Sequence, residues 1–323
     1  MYKVLIIGCG KIAYGTSSSN LNSHGEAFEE NTHTIIAACV DIDKVAGNKF
    51  AKRYNCKFYD SVSSALKIHA PDIVSVCTPD SKHFSILKKI SKALCKPKII
   101  FIEKPICTNR SDLEEIESLY KNSKTLLLVN HSRRFSKSFE SLKKHIQERK
   151  FGQIKFISCY YYTGWLHNGV HIIDTLQYLF DEKIIIHNIE NKVSSPLIDD
   201  PTLNIRGSFI ESRCDINIFG FDEHDYQVME WDLFFSDGRL KIQDFGNLIE
   251  IHKPKKNNNN ETELKEIKRN TALKTDIPIK NAVAEMVNFL TSQNFETPHL
   301  FKFNEVKNTM DVMFQTIERF KND

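Results

Sequence analysis

The sequence lacks the marks of several large classes of protein. No apolar run approaches the ~20 residues that a membrane-spanning helix needs. The eight cysteines form no C-x-x-C pair, and we expect them to be reduced and buried. The net charge is only +3, from 44 basic and 41 acidic residues, which is too weak for a nucleic-acid-binding surface. We therefore expect neither a membrane nor a nucleic acid as partner.

The sequence also lacks internal repeats, and a strand is predicted so close to Met1 that no signal peptide is expected. This favours a cytoplasmic location. Hydrophobic residues make up 41% of the chain and charged residues 26%, as in ordinary globular proteins. The length of 323 residues is sufficient for two domains.

The first half alternates apolar strands with amphipathic helices. Predicted strands cover residues 4–7, 34–40, 72–77, 98–102 and 125–129, and predicted helices cover residues 44–54, 61–68, 81–94 and 111–120. Such alternation with short connections is typical of a doubly wound parallel sheet. We therefore predict an α/β fold whose first domain, residues 1–124, is a Rossmann dinucleotide-binding domain.

The second half is dominated by strands. They are predicted over residues 154–162, 184–193, 203–209, 214–219, 227–235 and 239–245, with helices over residues 171–180, 281–290 and 304–320. The tract 253–269 contains four consecutive asparagines and is predicted to be a mobile surface loop. We predict that residues 125–323 form a substrate-binding α+β domain with an open, mostly antiparallel sheet.

A glycine-rich turn, Gly8-Cys9-Gly10-Lys11-Ile12-Ala13, follows the first predicted strand. The first glycine permits the tight turn, the second lets the backbone approach a pyrophosphate, and Ala13 takes the position where helix and strand pack closely. The following helix offers free N–H groups to the phosphates. The predicted dinucleotide-binding residues of this turn are Gly8, Gly10, Lys11, Ile12 and Ala13.

Asp41 ends the second predicted strand. A carboxylate there accepts hydrogen bonds from the ribose hydroxyls of adenosine and repels a 2′-phosphate, so it favours NAD over NADP, although Lys44 would weaken the discrimination. Capping of the next helix is an alternative role for Asp41. The polar loop over residues 14–23 either covers the cofactor, lines the substrate cleft or is a plain surface insertion.

Glu103 and Lys104 follow a strand that is apolar on both faces, as interior strands of parallel sheets are. Ligands of such sheets bind beyond the carboxyl ends of the strands. Both side chains are therefore expected to face the dinucleotide. A lysine in this position can meet a substrate hydroxyl beside a nicotinamide, which is typical of a dehydrogenase.

Taken together, these features resemble the Gfo/Idh/MocA oxidoreductases, the family of glucose–fructose oxidoreductase and inositol dehydrogenase. The resemblance covers essentially the whole chain, and it implies a second domain whose open sheet commonly joins the subunits of a homodimer or homotetramer. Its markers in chain order are the glycine turn, Cys77-Thr78-Pro79 with His83, Glu103-Lys104-Pro105, Asn130 with Arg133-Arg134-Phe135, and Gly169-Val170-His171-Ile172-Ile173-Asp174.

The resemblance implies that Lys104 contacts the reacting hydroxyl and that the Lys104–Pro105 bond is often cis. An ordinary lysine pKa of ~10.4 makes a poor base, but burial and a positive nicotinamide favour the neutral form. Lys104 would then accept the hydroxyl proton or, as a cation, hold a developing alkoxide. His171 is implied to share this role, and Asp174, three residues later on the same helix face, either orients His171 or caps and braces the helix. The implied cofactor contacts further along the chain are Thr78, Pro79, His83, Glu103 and Lys104.

His167 marks a departure from the family. Many members carry an aspartate four residues before the histidine that matches His171, and here His167 stands in that position, while Asn168 restores no carboxylate. This argues against the substrate class of the inositol dehydrogenases and leaves His167 as a candidate catalytic residue. His167 and His171 have the spacing of a zinc pair, but no third ligand is evident, and we predict no metal.

The resemblance implies an NAD(P)-dependent oxidoreductase that transfers hydride between nicotinamide and a secondary hydroxyl of a sugar, polyol or nucleotide-linked sugar. Three alternatives remain: a redox-neutral NAD-dependent glycosidase, a non-catalytic dinucleotide-binding regulator, and a scaffold without turnover. A guanidinium suits a substrate carboxylate or phosphate, and an aromatic ring suits the apolar face of a sugar. The predicted substrate-binding residues are Asn130, Arg134, Trp165, Asn168 and Asp174.

Overall fold

The computed structural model describes residues 1–15, 23–193, 196–197, 199–271, 276–292 and 303–322. Its strands are β1 Tyr2–Ile7, β2 Thr34–Val40, β3 Lys57–Tyr59, β4 Ile73–Val76, β5 Ile99–Ile102, β6 Leu126–Val129, β7 Ile154–Tyr162, β8 Ile184–Val193, β9 Thr202–Phe209, β10 Asp215–Phe221, β11 Glu230–Phe235, β12 Gly238–Gln243, β13 Leu248–Lys256 and β14 Thr262–Thr271. Its α-helices are α1 Lys11–Tyr14, α2 His24–Glu30, α3 Lys44–Arg53, α4 Val62–His69, α5 His83–Ser91, α6 Arg110–Tyr120, α7 Lys137–Gln147, α8 Val170–Phe180, α9 Pro278–Thr291 and α10 Phe303–Asn322.

The first of two compact units comprises residues Met1–Phe135 and Ile277–Lys307. Its parallel sheet has six strands in the order β3-β2-β1-β4-β5-β6. All residues of β4 and β5 are buried, because helices cover both faces of a sheet of this kind. The predicted doubly wound α/β fold is confirmed. The strand order reverses at β1 and β4, where such folds bind ligands.

The boundary between the units differs from the division predicted after residue 124. Strand β6 lies beyond that residue, yet it pairs with β5 in the parallel sheet, with Leu126 opposite Ile99. The first unit therefore continues to Phe135, and the chain returns to it at Ile277. Because β6 is apolar, its place beside β5 removes its side chains from water.

The second unit comprises residues Ser136–Asp276 and Asn308–Asp323. Its sheet has eight strands in the order β14-β13-β12-β11-β7-β10-β9-β8, and every pairing except that of β7 with β10 is antiparallel. Buried residues alternate along β10, β11 and β12, so one face carries the core. Aromatic rings from α7 and α8 pack on this face. The ring centroids of Phe139 and Trp231 are 6.5 Å apart, and those of Phe180 and Phe209 are 4.9 Å apart. The predicted mostly antiparallel sheet is confirmed.

The prediction of a mobile loop over residues 253–269 is wrong. Strands β13 and β14 pair along most of this tract, and the asparagines form the turn between them. The Asn257 side-chain oxygen accepts hydrogen bonds from the backbone N–H groups of Asn259 and Glu261, both at 2.9 Å. Side-chain acceptors of this kind stabilise a turn locally.

The cysteines were expected to be reduced and buried, and the exposed Cys95 departs from that expectation. All eight cysteines are free; six are buried, Cys56 is partly buried and Cys95 is exposed. Within the described part of the chain, no helix combines the length and the apolar character needed to cross a membrane. Residues 16–22 of the polar loop predicted over residues 14–23 lie outside the described residues.

Candidate active site

The glycine turn connects β1 to the single-turn helix α1. Gly8 has a φ of +90°, and a Cβ on it would lie 2.8 Å from the carbonyl carbon of Cys77, so no other residue fits there without strain. Gly10 caps α1, and a Cβ on it would meet no atom of the described residues within 4 Å. Ala13 is fully buried. The turn therefore has the predicted form, with open space beside Gly10 where a pyrophosphate would approach.

The Asp41 carboxylate holds this turn against the end of β2. It accepts hydrogen bonds from the backbone N–H of Cys9 at 2.6 Å and of Asp43 at 2.8 Å. The alternative role predicted for Asp41 falls to Asp43, whose side chain caps α3 by accepting from Val45 and Ala46. Asp41 thus lies at the predicted position beside the turn, and its contact with a ribose stays a prediction.

A cleft of about 520 Å³ lies beside the turn and carries basic side chains. Its lining includes Gly10, Lys11, Tyr14, Lys49 and Arg53. The Arg53 guanidinium donates to the carbonyl of Tyr14 and to the Glu26 carboxylate. Positive charge beside Gly10 suits the phosphates of a dinucleotide.

A buried polar network lies at the carboxyl end of β5. The imidazole of His24, which is fully buried, lies 2.7 Å from Glu103 through Nε2 and 2.7 Å from the Ser75 hydroxyl through Nδ1. Asn130 donates to the same Glu103 oxygen at 2.6 Å. The Glu103 side chain is 14% exposed. Side chains that follow β5 and β6 therefore converge with the first residue of α2.

The charges of this pair stabilise each other. Burial lowers the pKa of His24, but Cys77 and Glu103 beside it outweigh burial and raise that pKa to about 10. Burial likewise raises the pKa of Glu103, but the His24 imidazolium, Asn130 and Lys104 hold it below its usual range. At neutral pH the network is therefore an imidazolium–carboxylate ion pair.

The ion pair gives folding stability a defined pH dependence. The Glu103 contribution is present above its ordinary pKa of 4.5 and is lost as the pH falls through its lower folded value. The His24 contribution is complete below its ordinary pKa of 6.5 and is lost as the pH rises to about 10. Between pH 6.5 and about pH 10, we expect the urea midpoint of the wild-type protein to fall more steeply than that of His24→Gln. Parallel curves for the two proteins would contradict the ion pair.

His83 connects the turns that follow β4 and β5. Its ring is fully buried, with Nδ1 2.8 Å from the Pro105 carbonyl and Nε2 2.9 Å from the Thr78 carbonyl. Burial lowers the pKa of His83, and because carbonyl oxygens only accept, a neutral ring donates to one of them. The Lys104–Pro105 peptide is cis, as the resemblance implies. Contact of His83 with a cofactor stays a prediction.

Two buried polar atoms at this edge of the sheet have no hydrogen-bond partner among the described residues: the Thr78 hydroxyl and the Asn130 side-chain carbonyl. Buried polar atoms are normally hydrogen-bonded. A nicotinamide nucleotide carries amide and hydroxyl groups that would supply the missing partners, so these residues fit such a cofactor. Two further predicted cofactor contacts are exposed: Pro79, which follows β4, and Ile12, which lies within α1.

The second unit holds five of the predicted residues, in and around α8. His171 and Asp174 lie on α8, where Asp174 is buried and accepts from the Thr309 hydroxyl at 3.3 Å. His167 is exposed in the helical turn before α8. Trp165 is buried and donates to the Met313 carbonyl at 3.2 Å, and Asn168 is buried and donates to the Thr163 carbonyl at 2.8 Å. Trp165 and Asn168 thus have partners inside their own unit.

Arg134 is buried in the first unit, with Nη1 3.9 Å from Glu305. The interaction is long for an ion pair, but burial reduces the screening of the two charges by water. Substrate binding by Arg134 stays a prediction.

One group of three possible metal ligands occurs among the described residues: Glu250, His252 and Glu266. The Arg269 guanidinium lies 2.5 Å from Glu250 and 3.2 Å from Glu266. A positively charged side chain therefore already lies against both carboxylates. The absence of a metal stays a prediction.

Sequence reasoning missed His24, Ser75 and Asp200. His24 meets Ser75 and Glu103 only through the fold, and Asp200 accepts the backbone N–H groups of Leu166 and His167 at 2.7 and 2.8 Å. The sequence does carry one local signal for the position of His24: Ser23 and Glu26 form a capping box that begins α2 at His24.

Residues 2–131 match the family model described as an oxidoreductase family with an NAD-binding Rossmann fold, Gfo/Idh/MocA. Inositol 2-dehydrogenase of Rhizobium meliloti (strain 1021) is 25% identical over 155 residues, which are 47% of this chain and 43% of that protein. The match thus spans less than half the length of the curated relatives.

Two solved structures share the fold over nearly the whole chain. A putative NADPH-dependent oxidoreductase from Desulfitobacterium hafniense has a TM-score of 0.79 at 16% identity, covering 99% of this chain and 96% of that one. UDP-N-acetylglucosamine 3-dehydrogenase from Acidithiobacillus ferrooxidans has a TM-score of 0.69 at 14% identity, covering 97% and 96%. At these identities the likeness shows the fold alone. Residues 2–131 of the chain are thus similar to the NAD-binding Rossmann domain of the Gfo/Idh/MocA oxidoreductases.

Proposed function

We propose that the protein is an NAD(P)-dependent oxidoreductase acting on a secondary hydroxyl of a sugar, polyol or nucleotide-linked sugar. The observation that supports this most is the arrangement at one edge of the parallel sheet. Lys104 follows β5, and the polar atoms of Thr78 and Asn130 that lack a partner in the described part of the chain follow the two neighbouring strands, β4 and β6. The glycine turn follows β1, which pairs with β4.

The chain supplies binding groups and proton transfer. When bound, NAD(P) would supply the nicotinamide carbon that accepts or returns hydride. The glycine turn would hold the pyrophosphate and Thr78 would bond polar groups of the nucleotide, while Asn130, predicted from the sequence to bind substrate, would bond either the substrate or the nucleotide. Lys104 would accept the substrate proton at Nζ or hold the developing alkoxide as a cation. His171 and His167 stay proposed acid–base residues.

The test begins with titrations of the purified protein with NAD and NADP, followed by a panel of sugars, polyols and nucleotide sugars monitored at the NADH absorbance band. Dinucleotide binding with NADH produced from one class of substrate would establish the dehydrogenase. Binding without NADH from any of them would favour a redox-neutral glycosidase or a regulator, and glycoside cleavage would separate these two. Failure to bind either dinucleotide would contradict the proposal.

We also propose that NAD is preferred over NADP, because the Asp41 charge would repel a 2′-phosphate. We expect Asp41→Asn to raise the affinity for NADP relative to NAD by about tenfold, which corresponds to ~1.4 kcal/mol. Asparagine has one acceptor oxygen, so one of the N–H groups now bonded to Asp41 would also lose its partner. Fluorescence titrations with both dinucleotides measure the ratio.

Asp43→Asn is the matched control for Asp41→Asn. It removes the same charge two residues away, and asparagine is an equally good helix cap. We expect it to change the ratio of affinities less than Asp41→Asn does. An equal change would show that the overall charge of the loop, rather than Asp41, sets the preference.

We propose that the protein forms a homodimer or homotetramer through the sheet of its second unit. Partly exposed aromatic rings on that sheet support this, for example Tyr160 stacked on Phe219 at 5.9 Å. Light scattering during size-exclusion chromatography would measure the oligomeric state, and a monomer at all concentrations would contradict the proposal. A cytoplasmic location stays a prediction.

A further inference from the structure

We propose that His24 is a positioning residue, which fixes the Glu103 carboxylate and neutralises its charge so that Lys104 works beside a neutral pair. This inference rests on the proposed role of Lys104 in proton transfer. Its geometric basis lies wholly within the first unit, and none of it depends on a bound ligand.

The His24 side chain is held by its position at the start of α2, by two hydrogen bonds and by one ring contact. His24 is the first residue of α2, and the capping box of Ser23 and Glu26 sets where that helix begins. Both ring nitrogens have partners at 2.7 Å, Ser75 and Glu103, and the ring centroid lies 4.9 Å from that of Phe101. A side chain held in this way keeps a single orientation, and so does the carboxylate bonded to it.

The charge of Glu103 requires a partner. Burying an ion without an opposite charge is costly, and removing one member of a buried pair typically costs several kcal/mol. The titratable groups that act on His24 are Cys77, which follows β4, and Glu103, which follows β5; Ser75 presents a neutral hydroxyl. Glu103 in turn is affected by His24, Asn130 and Lys104.

Lys104 would take over the role of His24 if the imidazolium were absent. An opposite charge nearby favours the charged form of an ionisable group. An uncompensated Glu103 would therefore hold Lys104 as an ammonium, which cannot accept a proton. The imidazolium of His24 removes this bias, while Asn130 and His24 together keep the carboxylate in place.

A purely structural histidine would act differently. It would need only its hydrogen bonds, and a glutamine at position 24 could make some of them without a charge. The proposal is therefore tested by the charge on Lys104 rather than by stability. The readout is the pH titration of lysines labelled by reductive ¹³C-methylation, followed by NMR on the protein without cofactor or substrate. The Lys104 signal is assigned by its loss in Lys104→Arg.

We expect His24→Gln to raise the titration midpoint of Lys104 by about one pH unit, the size of effect that a nearby opposite charge produces. The double variant His24→Gln/Glu103→Gln removes both charges and should return the midpoint close to that of the wild type. His69→Gln is the control, because His69 pairs with Tyr59 outside the network, and it should leave the midpoint unchanged. An unchanged midpoint in His24→Gln would overturn the proposal.

A second measurement covers the case in which His24→Gln does not fold. The ring ¹⁵N shifts of His24 in the wild-type protein distinguish the imidazolium from the neutral ring. We expect the imidazolium at pH 8 in the wild type and the neutral ring in Glu103→Gln. A neutral ring in the wild type at this pH would equally overturn the proposal. Neither measurement needs turnover, so their failure is distinct from failure of the proposed oxidoreductase activity.

Discussion

Replacing Lys104 with alanine is expected to lower kcat/KM for the oxidised substrate by about 10²–10⁴-fold, the usual loss when a positioned proton-transfer group is removed. The dinucleotide affinity should change little, because the glycine turn, Asp41 and Thr78 remain in place. Lys104 is only partly buried, so the truncation leaves no large cavity. The comparison of kcat/KM with a separate NAD titration measures both effects.

Lys98→Ala is the matched control for Lys104→Ala. Lys98 precedes β5 at the opposite end of the strand, and its amine pairs with Asp72 at 2.9 Å on a side chain that is 59% exposed. Such a surface pair contributes little, so neither turnover nor NAD binding should change. If Lys104→Ala turned its substrate over at the wild-type rate, the catalytic assignment would be wrong. If the wild-type protein bound NAD without turning over any substrate, and Lys104→Ala bound NAD with the same affinity, the result would favour a regulator.

The parallel sheet was predictable because its central strands are apolar on both faces and short loops separate them. The sequence does not predict β3, which has three residues and a single neighbour, β2, and therefore little apolar pattern. Strands β13 and β14 are missed for a related reason: β13 has apolar residues only at its start, and lysines and glutamates dominate the rest of the hairpin. Helix α7 buries only Phe139 and Leu142, so its apolar face is too sparse to be detected.

The candidate site likewise contains residues that the sequence could predict and residues that it could not. Gly8, Asp41 and Lys104 could be proposed from the sequence because each follows a strand of the parallel sheet, and sheets of this kind bind ligands at the carboxyl ends of their strands. The pair of His24 and Glu103 was not, since 79 residues separate its members and the contact exists only when α2 lies against β5. Sequence motifs identify groups that meet a ligand, whereas the groups that set their charge are found through the fold.

The two glycines of the turn should respond to the same substitution in opposite ways. Gly8→Ala places a side chain where φ is +90°, with its Cβ 2.8 Å from the carbonyl group of Cys77 and 2.9 Å from the Thr78 nitrogen. The backbone strain costs ~1–2 kcal/mol and the crowding ~1–3 kcal/mol, so we expect a loss of about 3 kcal/mol in the free energy of unfolding. Urea denaturation measures this loss, and dinucleotide binding should weaken with it.

Gly10→Ala separates binding from folding. Gly10 has a φ of −71°, and a Cβ there would meet nothing within 4 Å in the part of the chain that the structure describes, so the protein should be as stable as the wild type or slightly more so. The new methyl group would occupy the space through which a pyrophosphate approaches the backbone, so NAD affinity should fall at least tenfold, or ~1.4 kcal/mol. A fall in NAD affinity at unchanged stability could not be attributed to unfolding, whereas unchanged NAD binding in Gly10→Ala would place the cofactor elsewhere than over this turn.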